Sequence, residues 1–324
     1  MIPPLPPLPL LLQSLYTLAA ASILLANSIP ALQRRFVGYG KTAPPAAPSI
    51  TTKGTATGLL DKLAAITVPH TWFTHFYVSA VVFSVFWMMQ ILARGGWYQV
   101  VAGMAGAGAG AGAGMEGTGK AGMGKGKETG MKIEQVVLAW ACFVAQVGRR
   151  LYECLYVQKS GGASRMWVAH YLVGLLFYAA MAVGVWVEGT AAIDAFKFSP
   201  TALKGLVNAP SLKSFVGLIL LFVASGAQHD CHTYLASLKK YSLPTHTFFR
   251  AVVCPHYTAE VVIYLAISVI AAPRGAVVNT TVFAGAVFVA AILSVSAGRN
   301  REWYRQKFGE EAVRGKWCII PGVY

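Results

Sequence analysis

The sequence has few charged residues, and acidic residues are especially scarce. Only 12% of its 324 residues are charged, and Asp and Glu together number 12. An average soluble domain carries about twice that charged fraction. This composition therefore excludes an ordinary soluble enzyme, a charged nucleic-acid-binding domain and a disordered chain. None of the five cysteines forms a CxxC pair, so neither a zinc site nor a disulfide framework is indicated.

Apolar residues make up 56% of the chain and cluster into seven blocks. Each block is long enough, or nearly so, to cross a hydrocarbon layer about 30 Å thick, and backbone in lipid must be helical to satisfy its hydrogen bonds. We therefore predict an all-α fold, a polytopic membrane helical bundle of about seven transmembrane helices. The predicted spans are 10–29, 74–93, 133–157, 167–187, 212–227, 257–272 and 282–298.

Two segments of biased composition separate the apolar blocks. A Pro/Ala/Thr-rich stretch at 42–57 predicts a flexible loop. Residues 104–132 are rich in Gly, Ala and Lys, and such a composition loses too much backbone entropy on folding and buries too little side chain. We expect a disordered insertion there. It separates an N-terminal part with two spans (1–103) from a C-terminal membrane domain (133–324).

The net charge of +15 comes mostly from Lys and Arg between the apolar blocks. The side of the membrane that holds the C-terminus collects more of them, which predicts a cytosolic C-terminus. The cations form no patch with interleaved aromatics, so we expect no nucleic-acid partner. The triplet Asn279-Thr280-Thr281 is a glycosylation sequon on the opposite side, but its closeness to two spans makes its use doubtful.

Polar residues in or beside membrane spans are costly, so they are the best clue to function. The segment 68–77 brings His75 and Tyr77 to the start of the second span. Such a group is either an interfacial aromatic belt or a hydrogen-bond donor to a substrate carbonyl.

A second cluster lies at the end of the third span, in 146–155. Glu153 stands four residues after Arg149 and three after Arg150, so it can neutralise either arginine on a shared helical face. We expect the other arginine to require an anion, and phosphate suits a bidentate guanidinium.

A third cluster follows the fifth span. In a helix, Gln228, His232 and Lys239 share one face and can bind an extended polar ligand such as a nucleotide. A metal site at His229, Asp230 and His232 is an alternative, but this spacing does not complete a coordination shell, and we predict no metal.

The fourth cluster has two pieces, 244–260 and 299–308. In the first, Tyr257, Glu260 and Tyr264 share a face of a span that must look inward. In the second, Asn300, Tyr304 and Lys307 share a face. A basic flank on anionic lipid explains the charge of these segments but not their Asn and Tyr residues. The sequence lacks Walker and GxSxG patterns, and we expect a bound nucleotide to be held without a Rossmann fold.

Together these clusters resemble the steroid 5α-reductase family, and within it the polyprenol (polyprenal) reductase branch. The segments that carry the resemblance are Pro69 to Tyr77, Gln146 to Leu155 (QVGRRLYECL), Gln228 to Lys240 (QHDCHTYLASLKK), Pro255 to Glu260, and Trp303 to Phe308 with Ile319-Ile320-Pro321. The resemblance implies an NADPH-dependent enzyme of the endoplasmic reticulum membrane. Its substrate would be a long-chain isoprenoid, polyprenal or polyprenol, whose α-isoprene double bond is reduced on the way to dolichol for protein N-glycosylation.

The resemblance also implies site residues. The cofactor-binding positions would be Arg149, Arg150, Gln228, His232, Lys239, Arg250, His256, Asn300 and Tyr304. Steroid-reducing relatives have a tyrosine and a glutamate where this chain has Val147 and Thr67. The carbonyl must therefore be polarised by another residue, and His75, Tyr77 and Tyr152 are the catalytic candidates.

Two other functions fit a polar cluster inside a membrane bundle. A transporter would show an inverted internal repeat and broken helices, and we find neither in the sequence. A membrane-embedded methyltransferase would act on isoprenoid substrates with S-adenosylmethionine.

Overall fold

The computed structural model describes residues 5–38, 55–106, 130–158, 164–239 and 241–324. The expected flexible loop at 42–57 and the expected insertion at 104–132 lie mostly outside these ranges. At the edges of the insertion, residues 104–106 complete a helix over Gly96–Gly106, and Met131 is buried.

Seven long helices dominate the described part of the chain, and we label them α1 to α7. Their bounds are Leu8–Ser28 (α1), Thr74–Leu92 (α2), Ile133–Tyr152 (α3), Val168–Gly184 (α4), Leu212–Ser237 (α5), Pro255–Ile270 (α6) and Thr280–Phe308 (α7). Shorter α-helices cover Pro30–Leu32, Thr55–Ala65, Gly96–Gly106, Thr190–Ala195, Pro200–Lys204 and Thr247–Ala251. Short 3-10 helices cover His70–Phe73, Val187–Gly189 and Glu310–Ala312, and π-helical turns cover Gln33–Val37 and Glu153–Val157.

Within the residues that the structure describes, five helical segments are long and apolar enough to cross a membrane. They are Leu8–Ser28, His70–Leu92, Val168–Ala195, Leu212–Ser237 and Thr280–Phe308. Helix α6 is apolar but shorter, and α3 carries the arginine pair and its polar neighbours. The predicted all-α membrane bundle is confirmed, whereas the number of seven crossings stays a prediction.

The helices pack around an aromatic core. Helix α5 lies along α6, α1 lies along α7, and α2 contacts both α3 and α4. The ring of Phe177 in α4 lies 5.9 Å from Tyr16, 5.6 Å from Tyr264 and 5.2 Å from Phe288, measured between centroids. These residues come from α1, α6 and α7, so four helices meet at one buried cluster of rings.

Helices α5 and α7 are longer than the sequence predicts. Helix α5 continues to Ser237 instead of residue 227, and α7 continues to Phe308 instead of residue 298. With 29 residues and a rise of about 1.5 Å per residue, α7 is about 44 Å long. A hydrocarbon layer is about 30 Å thick, so the last turns of α7 lie outside it.

Two short backbone pairings hold loops on the end of the bundle where α2, α4 and α6 begin. Strands Thr67–Pro69 (β1) and Arg165–Trp167 (β2) pair antiparallel and join the segments that enter α2 and α4.

Val252 and Trp317 form a parallel bridge, in which the Val253 amide donates to the Trp317 carbonyl at 2.8 Å. The hydroxyl of Thr258 donates to the carbonyl of Ile319 at 2.6 Å. Residues 317–319 are therefore fixed to the start of α6.

The glycosylation sequon lies at the start of α7, and its asparagine is fully buried. The side-chain oxygen of Asn279 accepts a hydrogen bond from the Val282 amide at 2.9 Å and so caps the helix, and its nitrogen lies 3.6 Å from the Met131 sulfur. A glycan on this nitrogen would require the N-cap to open.

We therefore expect no glycan at Asn279 in the folded protein. Treatment with an endoglycosidase should leave the electrophoretic mobility of protein from eukaryotic cells unchanged. Asn279→Ala should lower the free energy of unfolding by about 1 kcal/mol through loss of the cap, measured by thermal unfolding in detergent. Asn208→Ala is the matched control, because Asn208 is exposed. A mobility shift on digestion that Asn279→Ala abolishes would contradict the expectation.

Candidate active site

A buried carboxylate forms the centre of the polar site. Glu153 begins the π-helical turn that follows α3, and its side chain is 0% exposed. It forms salt bridges with Arg149 and Arg150 on the preceding turn. From α5, the Nδ1 atoms of His229 and His232 lie 2.7 and 2.8 Å from its two oxygens. A single carboxylate thus joins the end of α3 to α5.

Arg150 extends this network to α2. Its Nε donates to the hydroxyl of Tyr77 at 3.2 Å, and its guanidinium carbon lies 5.0 Å from the centre of that ring. Its Nη1 lies 2.8 Å from Nδ1 of His232. His232 can accept from Arg150 or donate to Glu153, according to its tautomer. All four side chains are buried, so three helices converge on a site that excludes bulk water.

Gln228 forms the other half of the site. Its side-chain oxygen accepts hydrogen bonds from Arg149 and from Gln146, the latter at 3.2 Å. Its nitrogen donates to the Glu260 carboxylate in α6 and to the backbone carbonyl of His256 at 3.3 Å. The amide therefore connects α3, α5 and α6, and its 2% exposure places it inside the bundle.

The site balances its fixed charges. Glu153 gives one oxygen to Arg149 and the other to Arg150, so these three groups together keep one positive charge, and the expectation that the second arginine requires an anion stays a prediction. Glu260 supplies a second carboxylate through Gln228. A buried site with two guanidinium and two carboxylate groups does not attract a highly charged phosphate strongly. It suits a neutral polar group, such as an amide or a carbonyl, that can exchange hydrogen bonds with it.

Six of the residues that the sequence predicts for the site lie together here. They are Tyr77, Arg149, Arg150, Gln228, His232 and His256. His256 is included because its ring centre lies 5.6 Å from that of His232.

Two of the three catalytic candidates lie away from this network. His75 is exposed, and its Nδ1 lies 3.0 Å from the hydroxyl of Tyr171 in α4. Tyr152 is 53% exposed, and its ring lies 5.2 Å from that of Tyr156. Only Tyr77 among the three contacts the buried charges.

Four predicted cofactor residues also lie outside the network. Lys239 and Arg250 are exposed on the same end of the bundle. The Asn300 side chain donates to the Ser296 carbonyl one turn earlier in α7, at 3.1 Å. Tyr304 is buried in a small apolar cluster with Val253, Cys254, Ala297, Val313, Cys318 and Ile319. Tyr304 therefore lies close to the bridge between residues 252 and 317.

The structure adds four members that the sequence analysis did not name as catalytic or cofactor-binding residues, namely Gln146, Glu153, His229 and Glu260. A signal for two of them was available. Glu260 lies one helical turn after His256, and Gln146 lies one turn before Arg150, so each shares a face with a predicted residue.

The metal alternative finds no support in the geometry. His229 and His232 both direct Nδ1 at Glu153, whereas the Asp230 carboxylate lies 3.5 Å from Nε2 of His246. Among the residues that the structure describes, no group of three or more His, Cys, Asp or Glu side chains could hold a metal ion.

Comparison with known proteins identifies relatives. The profile of the 3-oxo-5-alpha-steroid 4-dehydrogenase family matches residues 204–324, which contain α5, α6 and α7. The polyprenal reductase of Saccharomyces cerevisiae is 34% identical over 57% of this chain, and the match spans 64% of the yeast protein. Polyprenal reductase 1 of Arabidopsis thaliana is 28% identical over 92% of the chain and 89% of its own length. Polyprenal reductase 1 of Oryza sativa subsp. indica is 26% identical over 98% of the chain and 94% of its own length.

These matches agree with the resemblance found in the sequence motifs. The range that matches the family profile contains the positions of Gln228, His232 and Glu260. Residues 204–324 are thus similar to the 3-oxo-5-alpha-steroid 4-dehydrogenase family, and most of the chain is similar to the plant polyprenal reductases.

Proposed function

We propose that this protein is an oxidoreductase that saturates the α-isoprene double bond of polyprenal in dolichol synthesis, with NADPH as the reductant. The observation that carries the proposal is the buried network of Tyr77, Arg150, Glu153 and His232, in a chain whose relatives are polyprenal reductases. The same relatives favour a reductase over a methyltransferase or a transporter. We place the protein in the endoplasmic reticulum membrane with its C-terminus in the cytosol, in agreement with the distribution of Lys and Arg.

The chemistry requires stabilisation of a negative charge on the substrate's carbonyl oxygen. When bound, the nicotinamide cofactor supplies the hydride that adds to the β-carbon of the enal. Tyr77 is suited to stabilise the oxygen. Its hydroxyl accepts from Arg150 and carries a proton that it can donate to the substrate oxygen, and the adjacent guanidinium makes that proton a stronger donor. A preorganised donor in a site without bulk water stabilises a developing oxyanion strongly.

The residues around Tyr77 also fit the uncharged end of the cofactor. The carboxamide of nicotinamide is a neutral donor and acceptor, as the charge-balanced site requires. Gln228 and His232 offer an amide and an imidazole that can exchange present hydrogen bonds for new ones. The phosphates of the cofactor would lie toward the exposed cations, among them Lys239 and Arg250.

The bundle provides an apolar environment for the isoprenoid tail. Burial of hydrocarbon stabilises a bound lipid by about 0.8 kcal/mol per CH₂. That gain is relative to water, and the bilayer and the bundle both provide an apolar environment for the tail.

Purified protein in detergent should oxidise NADPH only when polyprenal is present. The product, analysed by mass spectrometry, should be heavier by two hydrogens. Dolichal of the same chain length is the matched control substrate. Its α-unit is already saturated, so none of its remaining double bonds should be reduced. Absence of polyprenal-dependent reduction, or methyl transfer from S-adenosylmethionine in its place, would contradict the proposal.

A further inference from the structure

Three aromatic rings surround a lysine near the end of α7. The Nζ atom of Lys307 lies 4.6 Å from the ring centre of Tyr241, 5.0 Å from Trp303 and 5.8 Å from Phe308. The rings of Tyr241 and Trp303 are 5.9 Å apart and inclined by 46°. We call these four residues the Lys307 patch.

The Lys307 patch lies outside the hydrocarbon layer and is open to solvent. Helix α7 is longer than the layer is thick, and Lys307 is its second-last residue. Tyr241 is 47% exposed and Phe308 is 36% exposed. In the described part of the chain, no carboxylate lies within salt-bridge distance of Lys307. The patch therefore presents aromatic faces and a positive charge together to water.

The backbone at Tyr241 is unusual. Its φ angle is +67°, a left-handed conformation that a bulky residue rarely adopts. The segment is fixed on one side by a turn, in which the Ser242 amide donates to the Lys239 carbonyl at 3.1 Å. This conformation holds the ring beside Trp303, so the aromatic pair is built into the fold.

A row of rings leads from the buried site to Tyr257, and a small apolar cluster joins Tyr257 to the patch. The ring of His232 lies 5.6 Å from that of His256, and His256 lies 4.3 Å from Tyr257. Tyr257 and Trp303 pack against the same small apolar cluster. A ligand that extends along this row would have one end at the charge-balanced site and the other at Lys307.

We propose that the Lys307 patch binds the adenosine end of the dinucleotide, with the base on the rings of Tyr241 and Trp303 and the 2′-phosphate on the Lys307 ammonium. This inference rests on the proposed reductase function and deepens it, because it assigns the preference for NADPH over NADH to one side chain.

An exchange of partners makes binding favourable. Without the nucleotide, Lys307 occupies the faces of the rings. A cation–π contact at an exposed position is weak, whereas a charge-assisted hydrogen bond to a phosphate is stronger. The phosphate would draw the ammonium away from the rings, and the base would stack on the faces that it leaves. The lysine and the base would thus occupy the same ring faces in turn, the lysine without the nucleotide and the base with it.

The alternative occupant is a lipid headgroup, because aromatic and basic residues also gather at membrane surfaces. The rings that lead from the buried site toward the patch favour the nucleotide. The test below separates the two.

The test uses purified full-length protein and two soluble probes, adenosine 2′,5′-bisphosphate and AMP, with binding followed by calorimetry. Lys307→Met keeps the length of the side chain and removes its charge. It should weaken binding of the bisphosphate about tenfold and leave AMP unchanged. Tyr241→Leu should weaken both probes about tenfold, since each stacks a base. Lys204→Met, an exposed lysine near the start of α5, is the matched control and should change neither.

Unchanged bisphosphate affinity in Lys307→Met, with normal binding by the unsubstituted protein, would overturn the inference and leave the reductase proposal intact. If Lys307→Met loses binding to phosphatidylserine vesicles but keeps its affinity for the bisphosphate, the patch binds a lipid headgroup and the inference is overturned. If the unsubstituted protein binds neither probe yet reduces polyprenal with NADPH, the inference alone fails. If it neither binds the probes nor reduces polyprenal, both proposals fail.

Discussion

Tyr77→Phe should lower kcat for polyprenal reduction by about 10²- to 10³-fold, the typical effect of removing one oxyanion donor. The substitution keeps the ring, which is buried with 3% exposure, and removes only the hydroxyl that accepts from Arg150. The fold should therefore persist, and KM for NADPH should change little. Steady-state kinetics in detergent, with polyprenal and NADPH varied separately, would measure both constants.

Tyr156→Phe is the matched control, because Tyr156 is 76% exposed and should tolerate the loss of its hydroxyl without effect on kcat. His75→Gln tests the other donor at the start of α2. If Tyr77→Phe retains its rate while His75→Gln loses it, the carbonyl is polarised at the His75–Tyr171 pair and not in the buried network.

Glu153→Ala should produce the largest loss of stability, about 3–5 kcal/mol, because it leaves buried guanidinium groups without their carboxylate. Arg149 and Arg150 both depend on Glu153, and so do the imidazoles that approach from α5. Thermal unfolding in detergent, followed by circular dichroism, would measure the effect.

Glu302→Ala is the matched control for this loss. Glu302 pairs with Arg305 three residues later, but both side chains are about half exposed, so the change should remain below about 1 kcal/mol. If Glu153→Ala fails to accumulate, Glu153→Gln retains the shape and one acceptor and should show a smaller loss in the same direction. Equal and small effects in the Glu153 and Glu302 variants would contradict a central role for the buried carboxylate.

Hydropathy predicts where the long helices lie but not where they end. Each of the seven apolar blocks corresponds to a helix of the structure. The predicted end at residue 227 is wrong because Gln228 begins a polar run, whereas α5 continues to Ser237. Those polar residues remain helical because their side chains pair with α3 and α6. A hydropathy window does not contain that information.

The candidate site shows the same division between local and distant information. The spacing of Arg149, Arg150 and Glu153 predicts an ion pair on one helical face, and the structure has it. The two oxygens of Glu153 pair with different arginines, and the spacing does not predict this arrangement. The contact of Arg150 with Tyr77 joins residues 73 apart, and its contact with His232 joins residues 82 apart. No helical period relates positions on different helices, so these contacts follow from tertiary packing alone.

The bridge between Val252 and Trp317 bears on the order in which the protein is completed during biosynthesis. The Thr258 hydroxyl and the Ile319 carbonyl that it contacts are 61 residues apart. A ribosome must synthesise α6, α7 and the following turns before the segment at 251–254 acquires its partner. The end of the bundle that holds the bridge between residues 252 and 317 would thus be completed only after the last helix has been synthesised.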